Sequence, residues 1–380
     1  MRLNVRRLLA AVLVATLAVG IFALAGCSAS SPASGPPSTA NSSTASVSDT
    51  QTITDMAGRT VEVPAKADKV IGVGASSLRM ICYMQAIDKV VGVEKAEKED
   101  YVTCAYRHVN HDTFTKLPVI GEGGSKGITT NEEAIIAAAP QVIIANLDKD
   151  TADNLQQKTG IPVVCVTMSD IVFNQELYDN ITLLGKVLGK EDRGKELIKY
   201  MQDTEKDLSD RTANIQAKTA YAGGVSFRGG HGFSGTEAGF APFAICNITN
   251  IADASHDTGC FEIDLEAVAA AHPEYVFIES SNLGLVKEDI AANPDYFNNL
   301  NAVKSGNVYS LVSYRFYATN VELAIANCYH VGSCVYPEQF SGIDSTKKLD
   351  EITTFFLGAP VSADLAAEGC SFQKYDLMNL

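Results

Sequence analysis

Asn131-Glu-Glu-Ala-Ile-Ile-Ala-Ala-Ala-Pro140, followed by Gln141-Val-Ile-Ile144, is the stretch whose pattern decides the fold. It returns without a gap 133 residues later, as Asp264-Leu-Glu-Ala-Val-Ala-Ala-Ala-His-Pro273 followed by Glu274-Tyr-Val-Phe277. Each copy holds a capping side chain, a short apolar helix, a proline that stops it and a buried strand, in that order. Ala-rich helices resemble one another by chance, but the shared order argues for two lobes of one architecture.

Outward from these copies, short apolar runs alternate with helical patterns. Strands are expected at Val70–Val73, Val90–Val93, Val142–Ala145, Val163–Val166, Thr219–Ala222, Val276–Ile278 and Val308–Leu311. Helical patterns such as Leu78–Gln85, Asn131–Ala139 and Asp264–Ala271 separate them. Strands parted by helices imply an α/β fold: Rossmann-like lobes with parallel sheets covered on both faces. Upstream, Thr52–Val63 alternates around Ala57-Gly58-Arg59 and reads as a hairpin.

Midway between the copies the pattern changes. Glu191 to Ile215 has no proline and one glycine, and sets Leu197, Met201, Thr204, Leu208 and Ile215 on one helical face. A helix of that length spans roughly 35 Å, enough to run from lobe to lobe. The expected organisation is residues 51–190 for the first lobe, 191–216 for one long connecting helix and 217–380 for the second lobe with its C-terminal helices. The ligand cleft is expected between the lobes.

The amino-terminal residues read as an export signal. Arg2, Arg6 and Arg7 precede an apolar run from Leu8 to Ala23, which stops at Leu24-Ala25-Gly26-Cys27. An uncleaved anchor does not explain the small pair placed directly before cysteine. The stretch resembles a lipobox, which makes residues 1–26 a lipoprotein signal peptide and Cys27 the acylated lipid anchor. Residues 27–50 are almost all Ser, Thr, Ala, Pro, Gly and Asn, a disordered tether with a reach of roughly 25–30 Å. Loss of the three arginines leaves 27 basic residues of 30 against 45 acidic ones, a charge of −18. So acidic a surface argues against nucleic acid or anionic lipid as a partner.

About 330 residues follow the tether, comfortable for two lobes. Eight cysteines remain besides Cys27: Cys82, Cys104, Cys165, Cys246, Cys260, Cys328, Cys334 and Cys370. Cys82, Cys165 and Cys328 lie in apolar runs and read as core residues. Cys328 and Cys334, six apart on a helix, point well away from each other. Cys246 and Cys260 are the candidate bridge.

Thr54-Asp-Met-Ala-Gly-Arg-Thr-Val-Glu-Val-Pro64, then Lys69-Val-Ile-Gly-Val73, resembles the opening of the iron-complex/cobalamin class of periplasmic binding proteins of ABC transporters. Leu78-Arg-Met80, Lys89-Val-Val-Gly-Val93, Leu117-Pro-Val-Ile-Gly121 and Asn131-Glu-Glu133 continue the likeness. So do Leu300-Asn-Ala-Val-Lys-Ser-Gly-Asn-Val-Tyr309, Tyr336-Pro-Glu-Gln-Phe340 and Phe355-Phe-Leu-Gly358. Their order is more specific than any one of them, and the binding domain so marked runs from about residue 69 to 358. The resemblance implies a lipid-anchored, non-enzymatic monomer on the outer face of the cytoplasmic membrane. It would deliver an iron complex (siderophore or haem) or a corrinoid to an ABC permease and its ATPase. No P-loop is present, so the transport energy must come from another chain. Members dock through an exposed carboxylate on each lobe, for which Asp150 and Glu279 are the candidates. No cofactor is expected apart from the metal of the ligand itself.

In open α/β sheets ligands bind beyond the carboxyl ends of the strands. The loops there carry Ser76, Tyr106-Arg107-His108, the run Gly223 to Gly232 with Arg228 and His231, and Tyr314-Arg315-Phe316-Tyr317. Arginine suits oxygen-rich or acidic ligands because its planar fork stays charged, and tyrosine adds a ring and a hydroxyl. Arg228, Arg315 and Tyr317 lead the ligand-binding candidates, followed by His231, Arg107, His108 and Ser76. A surface arginine lying over apolar neighbours is the bland reading of the first two. Direct iron ligation by His231 or His108 is the minority reading, and His272 should face solvent.

A bare zinc or manganese carrier is the nearest rival, but it wants about four to six converging His, Asp or Glu ligands. The chain has six histidines and no His-rich loop. A surface hydrolase is less well supported, since Gly232-Phe-Ser-Gly-Thr236 lacks the second glycine of a nucleophile elbow. A surface adhesin using the tether as a stalk predicts no small ligand.

Overall fold

The computed structural model describes residues 49–124, 127–167 and 171–380. The signal peptide, Cys27 and all of the expected tether up to residue 48 lie outside the described residues. The fold begins with a hairpin, β1 (Thr50–Thr54) antiparallel to β2 (Thr60–Pro64), so Thr50 belongs to the fold and not to the tether. Alternation buries Ile53, Val61 and Val63 on one face, and Gly58 takes the left-handed conformation at the turn. Arg59 fastens the hairpin to the first lobe. Its guanidinium donates to Asp55 at 3.1 Å, Asp153 at 2.8 Å, Gln156 at 3.0 Å and the Val163 carbonyl at 2.9 Å.

The first lobe follows as β3 (Val70–Val73), α1 (Ser77–Tyr83), β4 (Val93–Glu94), α2 (Ala105–Phe114), β5 (Val119–Gly121), α3 (Glu132–Ala138), β6 (Val142–Ala145), α4 (Lys149–Thr159), β7 (Val163–Cys165) and α5 (Gln175–Leu188). β3, β6 and β7 form a parallel sheet in the order β3-β6-β7. On its β3 side, Val70 bridges to Val90, and β4 pairs in parallel with β5. All four residues of β3 and of β6 are buried, as a sheet covered on both faces requires.

Helix α6 (Glu191–Thr212) then runs 22 residues, about 33 Å at 1.5 Å per residue. It buries Leu197, Met201, Thr204 and Leu208 as the spacing predicts, and ends before Ile215. The second lobe holds β8 (Lys218–Gly223), β9 (Gly235–Ala238), α7 (Ala241–Ile245), β10 (Ile248–Asn250), β11 (Gly259–Glu262), α8 (Leu265–Ala271) and β12 (Tyr275–Glu279). It continues with α9 (Leu283–Ala292), α10 (Pro294–Asn299), α11 (Asn301–Lys304), β13 (Val308–Leu311), α12 (Val321–Val335), α13 (Ser345–Leu357) and α14 (Ser362–Ala367). Its main sheet is parallel, in the order β10-β8-β12-β13, and β9 pairs antiparallel with β11. Helix α12 is buried along most of its length and packs against α7 and α13.

The repeat seen in the sequence extends to the backbone. α3 and α8 each have seven residues, capped by Asn131 accepting from Ala134 N at 3.0 Å and by Asp264 accepting from Glu266 N at 2.9 Å. Both end on a left-handed residue, Ala139 and His272, each at φ 49°. Proline and a buried strand follow in both, and His272 is exposed as expected.

Two expectations are corrected. Tyr106-Arg107-His108 lies in the first turns of α2, not in a loop. Cys104, Ala105, Tyr106 and Phe114 supply the buried face, but His108, Asn110, His111 and Asp112 dilute the apolar period on which the sequence reading relied. Cys246 and Cys260 are not bridged: Cys246 is buried with its thiol donating to the Cys328 carbonyl at 3.3 Å, and Cys260 lies on β11. Cys82, Cys165 and Cys328 are core residues as expected. Burial pushes the Cys246 thiol up to about 12, so it carries no thiolate at neutral pH.

Candidate functional site: a cleft between the lobes

Loops at the carboxyl ends of strands from both lobes meet around two adjoining hollows. The inner one, about 330 Å³, is lined by the loops after β8, β12 and β13 and by Thr103 of the first lobe. The outer one, about 440 Å³, shares Thr103 and Ser281 and opens between Asp100, Tyr101 and His108 on one side and Asp364 and Glu368 on the other. Both sit within the range of roughly 300–1,000 Å³ usual for small-molecule sites.

A buried polar seam closes the back of this cleft. The segment from Arg315 to Ala318 leaves the second lobe and reaches the first. Arg79 on α1 donates to the carbonyls of Phe316 at 2.9 Å and Tyr317 at 2.8 Å. The Tyr317 hydroxyl donates to Glu94 at 2.8 Å, and Tyr83 bonds the buried Glu322. Arg107 pairs through Nε with Glu97 at 2.6 Å, while its guanidinium lies over the rings of Phe316 and Tyr317 at 5.5 and 4.9 Å. Burial pushes the Glu94 carboxyl up to about 6, against the Tyr317 bond that lowers it. Non-glycine residues rarely adopt positive φ, yet Ser76, Arg228, Tyr317 and Ala318 all do, at 70°, 52°, 50° and 75°. Such strain gathers where surrounding structure must hold a site in one shape.

The expected site residues divide into two groups. Arg228 stands exposed on the inner hollow, and among the described residues its guanidinium has no hydrogen-bond or ion-pair partner. Arg315 lines the same hollow, with its fork paired to Glu237 through Nε at 2.8 Å and also through Nη2. His108 borders the outer hollow between Asp100 at 2.9 Å and Asp364 at 3.3 Å. Burial lowers its imidazole pKa, but the two carboxylates outweigh this and hold it above the ordinary range. Tyr317, Arg107 and Ser76 belong to the seam, where the Ser76 hydroxyl accepts from Arg79 at 3.1 Å. His231 turns away into its own lobe. It stacks on Phe227 at 3.7 Å, and its ring nitrogens meet Glu262 at 3.0 Å and the Phe227 carbonyl at 2.8 Å.

Asp150 is exposed in the first turn of α4. Glu279, expected as an exposed docking carboxylate, is instead 4% exposed at the end of β12, which removes it from any docking surface. It accepts from the hydroxyls of Ser226, Ser281 and Ser313 and from the Ser226 amide. Those three hydroxyls line the inner hollow. Sequence reasoning missed this loop after β12, together with Arg79, Glu94 and Glu97. The strand-end rule applied to it, but Ser280-Ser281-Asn282 carries neither the glycines nor the aromatics that marked the loops after β8 and β13. Among the described residues no three His, Cys, Asp or Glu side chains gather as ligands of a metal ion would. No helix among them is long and apolar enough to cross a membrane.

Comparison with known proteins bears on this cleft. The family model described as periplasmic binding protein matches residues 73–314. The ABC transporter substrate-binding lipoprotein YvrC of Bacillus subtilis is 22% identical over 264 residues, which cover 68% of this chain and 77% of that protein. The Fe(3+)-citrate-binding protein YfmC of the same organism is 26% identical over 184 residues, 47% of this chain and 56% of its own length. The molybdate-binding protein MolA of Haemophilus influenzae is 22% identical over 343 residues, 83% and 93% of the two chains. Among solved structures, the TroA-like periplasmic binding protein FepB of Veillonella parvula superposes with a TM-score of 0.65 at 23% identity, covering 85% of this chain and 99% of that one.

Proposed function

This chain belongs to the periplasmic binding protein family, and from that premise we propose that it is a lipid-anchored receptor, held by Cys27, that captures an iron complex for an ABC importer. A ferric chelate is the first choice, with haem or a corrinoid next. The observation that carries this reading is the inner hollow itself. It lies where the strands of a parallel sheet end, it is walled by Phe316 and Phe227, and it presents the fork of Arg228, which has no partner among the described residues. Planar guanidinium groups read carboxylate and phenolate oxygens in pairs, which are the oxygens that cage ferric iron. Tyr101, 44% exposed, lies 4.8 Å from Phe316 and extends the aromatic wall toward the mouth. The 56% of YfmC matched by this chain carries a name that includes ferric citrate, which supports the same class. Asp150 is the exposed carboxylate proposed for contact with the permease.

The test is a thermal-shift panel of ferric citrate, a ferric hydroxamate, haem, cobalamin, zinc, manganese and molybdate. At a hundredfold excess over its dissociation constant, a bound ligand stabilises the fold by about 2.7 kcal/mol. A saturable shift with one iron complex or corrinoid, without turnover, is the expected result. A shift with zinc or manganese alone would replace the chelate with a bare cation, and no shift at all would refute the ligand class.

A further inference from the structure

The floor of the inner hollow has an unusual polarity. Glu279 Oε1 accepts from the Ser313 hydroxyl at 2.6 Å, from Ser281 at 3.2 Å and from Ser226. Its Oε2 accepts from the Ser226 amide at 3.3 Å. Burial raises the proton affinity of this carboxyl and the serine bonds lower it; as a carboxylate it is acceptor-only, the form that draws the neighbouring hydrogens toward it. Ser281 and Ser313 also touch each other. Each serine has one hydrogen, so whichever of the two donates across that contact leaves the carboxylate to the other, to Ser226 and to the Ser226 amide, and all three hydroxyl hydrogens stay inside the cluster. What remains toward the hollow is oxygen lone pairs.

Asn282 completes the surface in the same sense. Its amide hydrogens point inward, to the Gly224 carbonyl at 2.7 Å and to Ser226 Oγ at 2.8 Å. Its Oδ1 faces Gly230 on the loop opposite and accepts from no group among the described residues. The floor therefore offers four acceptor oxygens backed by the buried carboxyl of Glu279. Donor groups stand around this floor and not in it: the Thr103 hydroxyl of the first lobe, the Arg228–Gly230 backbone, Arg228, which has no side-chain partner among the described residues, and Arg315, shared with Glu237.

We propose that Glu279 makes this floor an acceptor-only surface, so that the protein selects a ligand presenting O–H or N–H groups (coordinated water, hydroxyl or amide) to the second lobe and rejects fully deprotonated tetrahedral oxyanions such as molybdate. This rests on the reading of the hollow as the ligand site. An oxyanion placed on the floor would set its oxygens against four lone-pair oxygens and a carboxylate, with no hydrogen between them. A site built to accept from a ligand hydrogen discriminates strongly against an isostere without one, because its own polar groups are then left unpaired. The charge on Glu279 is what fixes the direction of the serine hydroxyls. Replacing it with the isosteric amide removes that charge. The amide hydrogens then donate to serine oxygens and free hydroxyl hydrogens to turn into the hollow.

The test titrates the wild-type protein and Glu279→Gln with sodium molybdate by calorimetry, with melting curves of both as the folding control. The wild type is expected to show no saturable molybdate binding below about 1 mM, and Glu279→Gln to bind it at least ~10-fold more tightly. Micromolar molybdate binding by the wild type would overturn the proposal, as would a folded Glu279→Gln with unchanged molybdate affinity. If that variant does not fold, hydrogen phosphate and sulfate, alike in shape but differing in an O–H, are compared on the wild type. At least a tenfold preference for phosphate is expected, and parity or a preference for sulfate would overturn the proposal. Neither oxyanion is an iron complex, so failure of the iron-complex panel refutes the proposed function without deciding this comparison.

Discussion

Glu94 is a buried acid whose proton affinity folding has raised, and replacing it with Gln should abolish a defined part of the protein's pH dependence. The residue is 2% exposed, accepts from Tyr317 across the seam, and has its carboxyl pushed by burial from 4.5 up to about 6. At 1.36 kcal/mol for each tenfold change in proton affinity, that rise corresponds to about 2 kcal/mol. The sign follows from linkage. Between pH 4.5 and 6 the folded state holds this proton and the unfolded state does not, so stability falls as pH rises through that window. The full penalty is present at pH 7, and it vanishes below pH 4.5. Gln keeps an oxygen for the Tyr317 hydroxyl and carries no charge at any pH. In urea unfolding at pH 4.5, 5.5, 6.5 and 7.5, the stability of Glu94→Gln relative to wild type should therefore improve by about 2 kcal/mol from the lowest pH to the highest. Parallel profiles for the two proteins would show that Glu94 is not charged at the expense of the fold, and would refute the account of the seam.

Other outcomes follow from the same structure. Arg59→Ala should cost about 3 kcal/mol in urea unfolding, because it strands the 4%-exposed Asp55 without its ion partner and unfastens the hairpin from β7; a loss below about 1 kcal/mol would contradict this. Thiol titration of the denatured, unreduced protein should find all eight cysteines from Cys82 to Cys370 as thiols, and a count of six would reveal one bridge. Tyr317→Phe removes the 2.8 Å bond to Glu94 and leaves that carboxylate buried and short of a donor, so it should destabilise by about 1–3 kcal/mol at pH 7 and by less at pH 4.5.

Much of the fold was legible in the sequence because buried parallel strands announce themselves. Val70–Val73 and Val142–Ala145 are unbroken apolar runs, and the two copies around Asn131 and Asp264 share cap, short helix, proline stop and strand. Short strands at the edge of the second lobe were not legible. β9 and β11 are polar or mixed, as Gly235–Ala238 shows, and they form only because they pair with each other. Helix α2 was hidden by the histidines and Asn110 on its outer face. The cleft was half legible. The loops after β8 and β13 drew notice for arginines among glycines and aromatics, and Arg228 does stand exposed on the hollow. Glu279 could be placed at a strand end but not given its task, since that depends on Ser226 and Ser313, 53 and 34 residues away. Arg315 likewise meets Glu237, 78 residues away on a strand the periodicity did not show.

The measurement that bears most directly on the central claim is an equilibrium titration of ferric citrate into the wild-type protein and Arg228→Ala, followed by tyrosine fluorescence. With fourteen tyrosines and no tryptophan, quenching by the coloured complex is read without interference. A ligand held in the hollow between the lobes predicts one saturable site in the wild type and at least ~10-fold weaker binding in Arg228→Ala, with its melting temperature in the absence of ligand unchanged. Binding of equal strength in the variant, or none in the wild type, would contradict the assignment of this hollow as the site of a ferric chelate.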